Sequence, residues 1–118
     1  MSDEQRVARA EELKELATQA YRGQQLAEAL NQFKEAHAHL SKVDLTPDVL
    51  AKRVEILQSI GLVQSKSGDF ESAVQHCTEA LRLNILTPKA LYFRSIANMH
   101  LKNFSEAFND CRLAMQLK

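Results

Sequence analysis

The stretch SGDFESAVQHCTEALRLN (residues 67–84) is followed, one helix length later, by LKNFSEAFNDCRLAMQLK (residues 101–118). In register, five positions carry identical residues 34 apart: Phe70/Phe104, Ala73/Ala107, Cys77/Cys111, Ala80/Ala114 and Leu83/Leu117. Alanines seven residues apart lie on one face of an α-helix, where they let a second helix approach closely. We interpret the two stretches as copies of one unit that stack, so that the same positions recur to fill the same gaps between helices.

The composition favours a globular chain that acts on neither nucleic acid nor membranes. Of the 118 residues, 45% are apolar, and 15 basic side chains balance 15 acidic ones, so no overall field draws the chain to a polyanion or a lipid surface. No run approaches the roughly 18–20 apolar residues that a membrane span needs. Two cysteines are too few for a disulfide scaffold, which favours a cytoplasmic location.

Apolar residues recur every three or four positions, a period that predicts six helices paired into three hairpins. The first two helices lie on either side of Gly23, within residues 7–40. Thr46–Pro47 and Thr87–Pro88 each combine a hydroxyl cap with a proline at the first helical position, and Gly68 ends the third helix. We expect the remaining helices over about 47–67, 70–83, 88–102 and from 105 onward.

The 34-residue period is the length of a tetratricopeptide repeat, and the chain resembles that family. The A-x3-F element of the family appears as Ala29 and Phe33, while cysteine replaces the phenylalanine in the other two copies; Leu57, Ile60 and Gly61 match its first-helix pattern. The resemblance implies an all-α fold, a right-handed α-α solenoid of three helix-turn-helix repeats. It implies a single domain over 1–118, with repeats at about 7–43, 47–84 and 88–118.

Two features depart from the family pattern. The chain has no tryptophan, and the first two hairpins are 44 rather than 34 residues apart. We expect the ten extra residues to lengthen the second and third helices around 45–47. The long junction is similar to that of immunophilin-type co-chaperones, and we expect the chain to be the amino-terminal part of a longer protein.

The two cysteines are predicted to be packing residues at equivalent sites. Helices of neighbouring repeats lie roughly 10 Å apart, whereas a disulfide needs Cα atoms within about 7 Å. We therefore expect Cys77 and Cys111 to stay free and to lie in the core.

The sequence predicts no catalytic residue, no metal site and no cofactor, and hence not an enzyme. His37 and His39 are two positions apart, which places them on different faces of a helix and makes them a poor metal pair. The three glycines stand singly, so no glycine-rich phosphate loop is present.

The resemblance implies a concave groove, lined by the first helix of each repeat, that holds an extended peptide or a partner helix. By register, the predicted peptide-binding residues are Lys14, Thr18, Arg22, Ser59, Leu62, Lys66, Lys89, Tyr92, Phe93 and Ile96. Arg22, Lys66 and His100 occupy one repeat position and are predicted either to form a basic column or simply to solvate the rim.

Some family members grip the acidic carboxy-termini of heat-shock chaperones with a two-carboxylate clamp of two lysines, two asparagines and an arginine. Lys14 and Lys89 match the lysines of this clamp. Thr18 and Ser59 stand where the asparagines are expected, and Phe93 replaces the arginine. Each lost charge-assisted bond is worth roughly 1.5–3 kcal/mol, so the replacements argue against a standard clamp.

Three functions are carried forward from the sequence. The first is an adaptor for a peptide or helix with apolar side chains and some acidity, because an apolar patch replaces the polar clamp groups. The second is co-chaperone-type binding of heat-shock chaperone carboxy-termini. The third is a self-associating module that forms a homodimer through its carboxy-terminal hairpin, where residues including Phe108 and Met115 are expected to lack a covering helix.

Overall fold

The computed structural model describes residues 1–117 and folds them into six α-helices, with no strand in that range. The predicted all-α class is confirmed. The helices are α1 (Asp3–Arg22), α2 (Leu26–Leu40), α3 (Pro47–Lys66), α4 (Phe70–Leu83), α5 (Pro88–His100) and α6 (Phe104–Gln116). None of these helices is long and apolar enough to cross a lipid bilayer, a finding that covers the described residues.

The helices belong to two compact units. The amino-terminal unit, Met1–Ile56, contains α1, α2 and the first half of α3; the carboxy-terminal unit starts at Leu57 and contains the rest. In the first unit α1 packs on α2, and in the second α5 packs on both α4 and α6. Apolar residues, most of them small or aliphatic, fill both cores. They include Ala10, Leu13, Ala17, Ala29, Phe33 and Ala36 in the first and Ile60, Val63, Ala73, Cys77, Ala80, Leu91 and Ala97 in the second.

The helix starts follow the capping signals with one exception. The Val49 N–H donates to the Thr46 hydroxyl over 3.2 Å, so Thr46 caps α3 as predicted. Ser2 and Gln5 form a capping box at the start of α1. Thr87 makes no such cap: its hydroxyl donates instead to the Asn84 carbonyl over 2.8 Å, which fixes the turn before α5.

The turns inside the three hairpins share one backbone conformation. Gly68 has a φ of 87°, and the equivalent Gln24 and Lys102 have φ values of 63° and 66°. Only one of the three positions carries the glycine that this left-handed region favours. The repeat geometry therefore imposes the turn on the other two residues.

Two expectations about packing are wrong in part. The third helix takes most of the ten extra residues, since α3 has 20 residues and α5 has 13, whereas α2 is only one residue longer than the 14-residue α4. Cys77 is buried but Cys111 is exposed. The difference has a physical cause: α4 is contacted by α3, at Gly61 beside Cys77, and also by α5, whereas among the described helices α6 packs on α5.

Candidate functional site

A row of four predicted binding residues follows one face of α5. Lys89, Tyr92, Phe93 and Ile96, called the α5 row below, are spaced by threes and fours, and the spacing places them on one side of the helix. Lys89 is exposed, Tyr92 is 52% exposed, and Phe93 and Ile96 are half-buried. The other side of α5 carries the fully buried residues Ala90, Leu91 and Ala97. The α5 row therefore presents apolar surface that is not buried in the core of the unit.

The two aromatic rings of the α5 row lie side by side. The ring centroids of Tyr92 and Phe93 are 6.0 Å apart and tilted by 53°, a separation typical of aromatic pairs. Tyr92 and Lys89 also border a groove of about 310 Å³ whose other wall is formed by Cys111, Ala114 and Met115 of α6. The structure thus brings part of the α5 row together with the outer face of α6, a proximity that the sequence reasoning missed.

Three more predicted residues share a face of α3. Ser59, Leu62 and Lys66 are spaced by three and four, and the first two are half-buried while Lys66 is exposed. The opposite face packs on α4, where an ideal Cβ on Gly61 would lie 2.5 Å from Cys77 Sγ. That close contact leaves no room for a larger residue at position 61. Because α3 packs on α4 through this side, Ser59, Leu62 and Lys66 lie on the side that faces away from α4.

A partly buried hydrogen bond also joins α3 to α4. The His76 Nδ1 lies 2.9 Å from Gln64 Oε1 and 3.0 Å from the Ser72 carbonyl oxygen. Because a carbonyl can only accept, Nδ1 carries the proton. Gln64 is 1% exposed, so this bond satisfies a side chain that would otherwise be costly to bury.

The predicted residues of the amino-terminal unit are partly engaged within it. The Lys14 ammonium lies 2.6 Å from a Glu55 carboxylate oxygen. The Thr18 hydroxyl donates to the Lys14 carbonyl over 2.9 Å, a local bond that turns it back onto its own helix. Arg22 is exposed in the last turn of α1.

Arg94 has a structural partner rather than an open position. Its Nε and Nη2 donate to the two carboxylate oxygens of Asp110, each over 2.7 Å, and its Nη1 donates to the Thr78 hydroxyl over 3.2 Å. The hydrogen bonds to Asp110 raise the pKa of Arg94 above its ordinary value. Arg94, next to Phe93 in sequence, therefore joins α5 to α4 and α6 through these hydrogen bonds. Sequence reasoning missed this cluster.

The histidine of the predicted basic column makes an aromatic contact. The His100 ring stacks on Phe70 with centroids 4.1 Å apart and planes 4° from parallel. Lys66 and Arg22 are both exposed. The column itself stays a prediction. Within residues 1–117, no group of three or more His, Cys, Asp or Glu side chains is placed to hold a metal ion.

Comparison with known proteins identifies the fold. No family model matches the chain. FK506-binding protein 59 of Drosophila melanogaster is 30% identical over an alignment of 119 residues. The alignment covers all of this chain but only 27% of that protein's length. The tetratricopeptide-containing carboxy-terminal domain of a Plasmodium falciparum FK506-binding protein superimposes with a TM-score of 0.85 at 26% identity, covering 99% of this chain and 82% of that one.

A second similar structure was solved with a peptide. The second tetratricopeptide repeat domain of Spaghetti (RPAP3), bound to the HSP90 peptide SRMEEVD, superimposes with a TM-score of 0.83 at 19% identity, covering 97% of this chain and 96% of that one. At that identity the likeness concerns the fold. The chain is thus a tetratricopeptide repeat domain that resembles those of co-chaperones, and the identification made from the repeated alanines is confirmed.

Proposed function

We propose that this tetratricopeptide repeat domain is a protein-interaction adaptor that binds a peptide or helix of a partner protein through the α5 row. The observation that carries the proposal is the exposed and half-exposed run of Tyr92, Phe93 and Ile96 beside the exposed Lys89. Aromatic residues are enriched among the few contacts that dominate binding energy at interfaces. The α3 face of Ser59, Leu62 and Lys66, which belongs to the same unit, is proposed to contribute. Lys14, Thr18 and Arg22 of α1 remain the predicted binding residues of the amino-terminal unit.

The chemistry of the α5 row selects the kind of ligand. Apolar rings and an aliphatic side chain favour a partner with apolar side chains, because burying them removes hydrocarbon surface from water. Within residues 1–117, no carboxylate forms an ion pair with Lys89, so its ammonium is available to an acidic group of the ligand. We propose a ligand that combines apolar side chains with some acidity.

The test is a comparative capture from lysate with wild-type protein and two arginine variants. Phe93→Arg should lose the bound partner, with affinity lowered by at least about tenfold, because a half-buried aromatic contact is replaced by a charge. Phe108→Arg is the matched control, since Phe108 is 66% exposed on α6. It should retain the partner.

Folding must be checked in the same experiment. Circular dichroism should show unchanged helical content in both variants. Loss of structure in Phe93→Arg would show that Phe93 belongs to the core, and equal capture by all three proteins would show that the α5 row does not bind; either result refutes the proposal.

A second candidate is co-chaperone-type binding of heat-shock chaperone carboxy-termini. Lys14 and Lys89 favour it, and a similar fold binds the HSP90 peptide SRMEEVD. Thr18, Ser59 and Phe93 weigh against it, and the Lys14 ammonium is already paired with Glu55. Titration with SRMEEVD decides between the two candidates. The clamp is excluded if no binding is seen below about 100 μM, which corresponds to a binding free energy of about −5.5 kcal/mol, or if Lys89→Ala leaves the binding unchanged.

A further inference from the structure

The amino-terminal unit carries a second groove, distant in sequence from the α5 row. The first turns of α1, the loop over residues 41–46 and the start of α3 line a shallow groove, open to solvent, of about 500 Å³. Its lining includes Val7, Val43 and Val49, called the valine floor below. Val49 is 5% exposed, while Val7 and Val43 are half-buried, so the floor offers apolar surface that this unit leaves open to water.

Three carboxylates line the same groove. Asp3 and Glu4 come from the first turn of α1 and Asp44 from the loop, and all three side chains are exposed. Within the described residues none of them forms an ion pair with a lysine or arginine. Lys42 is close in sequence but does not line the groove. The three acidic groups therefore form a negative rim beside an apolar floor; they have no lysine or arginine partner, although Asp3 and Glu4 lie at the positive amino-terminal end of the α1 dipole.

From this combination we infer that the groove binds a basic amphipathic segment of a partner protein. An apolar side chain of the segment rests on Val7, Val43 and Val49, and lysine or arginine side chains on either side meet the rim carboxylates. Such complementarity sets specificity and the rate of encounter. Nucleic acids and anionic lipid surfaces carry the same sign of charge as the rim and are repelled. The groove shares no lining residue with the α5 row and selects a ligand of the opposite charge.

The test uses a fluorescent synthetic peptide of about twelve residues, with leucine at every third or fourth position and lysine and alanine elsewhere. Its binding to the full chain is followed by anisotropy at low salt. The triple variant Asp3→Asn, Glu4→Gln, Asp44→Asn should weaken binding at least about tenfold, because three exposed charge pairs together account for about that factor. Val43→Ser should weaken it by at least about threefold, through the lost apolar contact.

The matched control removes the same charge from elsewhere in the same unit. Glu15→Gln, Glu28→Gln, Glu35→Gln should change the affinity by less than about twofold, since these residues do not line the groove. Circular dichroism confirms that each variant is folded. Equal weakening by both triple variants would show that the peptide responds to the net charge of the protein and not to the groove, and would overturn the inference. Absence of wild-type binding would also overturn it.

A second peptide tests the apolar part of the inference. With serine in place of leucine, the peptide should bind at least about fivefold more weakly; equal binding would show that the valine floor plays no part and would also overturn it. Phe93→Arg should leave the affinity of the leucine peptide unchanged. Failure of this inference and failure of the proposed α5 function are therefore distinguishable.

Discussion

Gly61 sits at the closest approach of α3 and α4, and Cys77 fills the space that a side chain would need. An ideal Cβ at position 61 would lie 2.5 Å from Cys77 Sγ, closer than real Cβ contacts allow, and Cys77 is fully buried. We expect Gly61→Ala to lower the free energy of unfolding, because overpacking costs typically about 1–3 kcal/mol and outweighs the gain of about 1 kcal/mol in helix propensity.

In a Cys77→Ala background the sign should reverse. The next contacts of the added methyl group are the Ala73 carbonyl at 3.5 Å and the Cys77 Cβ at 3.9 Å, which are ordinary distances. Gly61→Ala should then raise the free energy of unfolding by about 0.5–1 kcal/mol, through helix propensity alone. Urea unfolding of the four proteins measures the coupling; effects that add within about 0.5 kcal/mol would contradict the contact.

The two cysteines should differ sharply in reactivity toward a thiol reagent. Burial raises the pKa of the Cys77 thiol to about 12, so only about one molecule in ten thousand holds its thiolate at pH 8. Cys111 is exposed. We expect one fast equivalent of modification at pH 8, abolished by Cys111→Ser, and a second only after unfolding. A fast phase that survives Cys111→Ser would place Cys77 within reach of solvent.

Local interactions could be predicted from the sequence, whereas burial could not. Thr46 could be predicted as a cap because a cap is a local interaction between a hydroxyl and an N–H three residues on. Cys77 and Cys111 could not be told apart, since burial depends on what covers a helix and not on the helix's own repeat. For the same reason the sequence could name the α5 row but not its proximity to α6.

Three helices meet at Arg94, where side chains far apart in sequence form one cluster. Arg94 is bonded through both carboxylate oxygens to Asp110, and its side chain is 23% exposed and that of Asp110 10%. Asp110→Asn keeps the shape but leaves the guanidinium without its counter-charge and turns one acceptor into a donor. We expect a loss of about 1.5–3 kcal/mol in the free energy of unfolding, measured in urea.

Thr78→Val is the comparison variant for this cluster. It removes the bond to Arg94 Nη1 but leaves the charge pair intact, so a smaller loss of about 0.5–1.5 kcal/mol is expected. If Asp110→Asn cost no more than Thr78→Val, the charge pair would not be what joins α5 to α6.

The sequence did contain a signal for polar contacts between these helices. His76 and Asp110 are 34 residues apart and hence equivalent, and each bonds a polar side chain on the preceding helix, Gln64 and Arg94 respectively. A polar residue that recurs at one repeat position beside buried alanines indicates a buried partner. The identity of that partner could not be predicted, because it lies one helix turn apart in the two repeats.

At the scale of the whole chain, the repeat pattern was sufficient to predict the fold. Identical residues 34 apart indicate equivalent positions in successive structural units, and stacked helical hairpins supply such positions. The 44-residue first spacing predicts a longer second and third helix, yet the extra residues extend mainly α3 rather than α2. The repeat does not constrain how far a helix continues beyond its last repeated position. The pattern therefore could not show how the ten extra residues divide between α2 and α3.

The distribution of exposed apolar side chains leads to a last prediction, self-association at high concentration. Phe104, Phe108 and Met115 of α6 are 57%, 66% and 65% exposed, and Tyr92 borders the same groove as Met115. Exposed apolar surface of this kind favours association, since pairing removes it from water. We expect the weight-average mass from sedimentation to rise between micromolar and millimolar concentration, and Phe108→Glu to suppress the rise. Leu16→Glu, on the 44%-exposed side chain of α1, is the control and should not suppress it. A wild-type chain that stays monomeric at millimolar concentration, with no loss of stability on dilution, would refute self-association through α6.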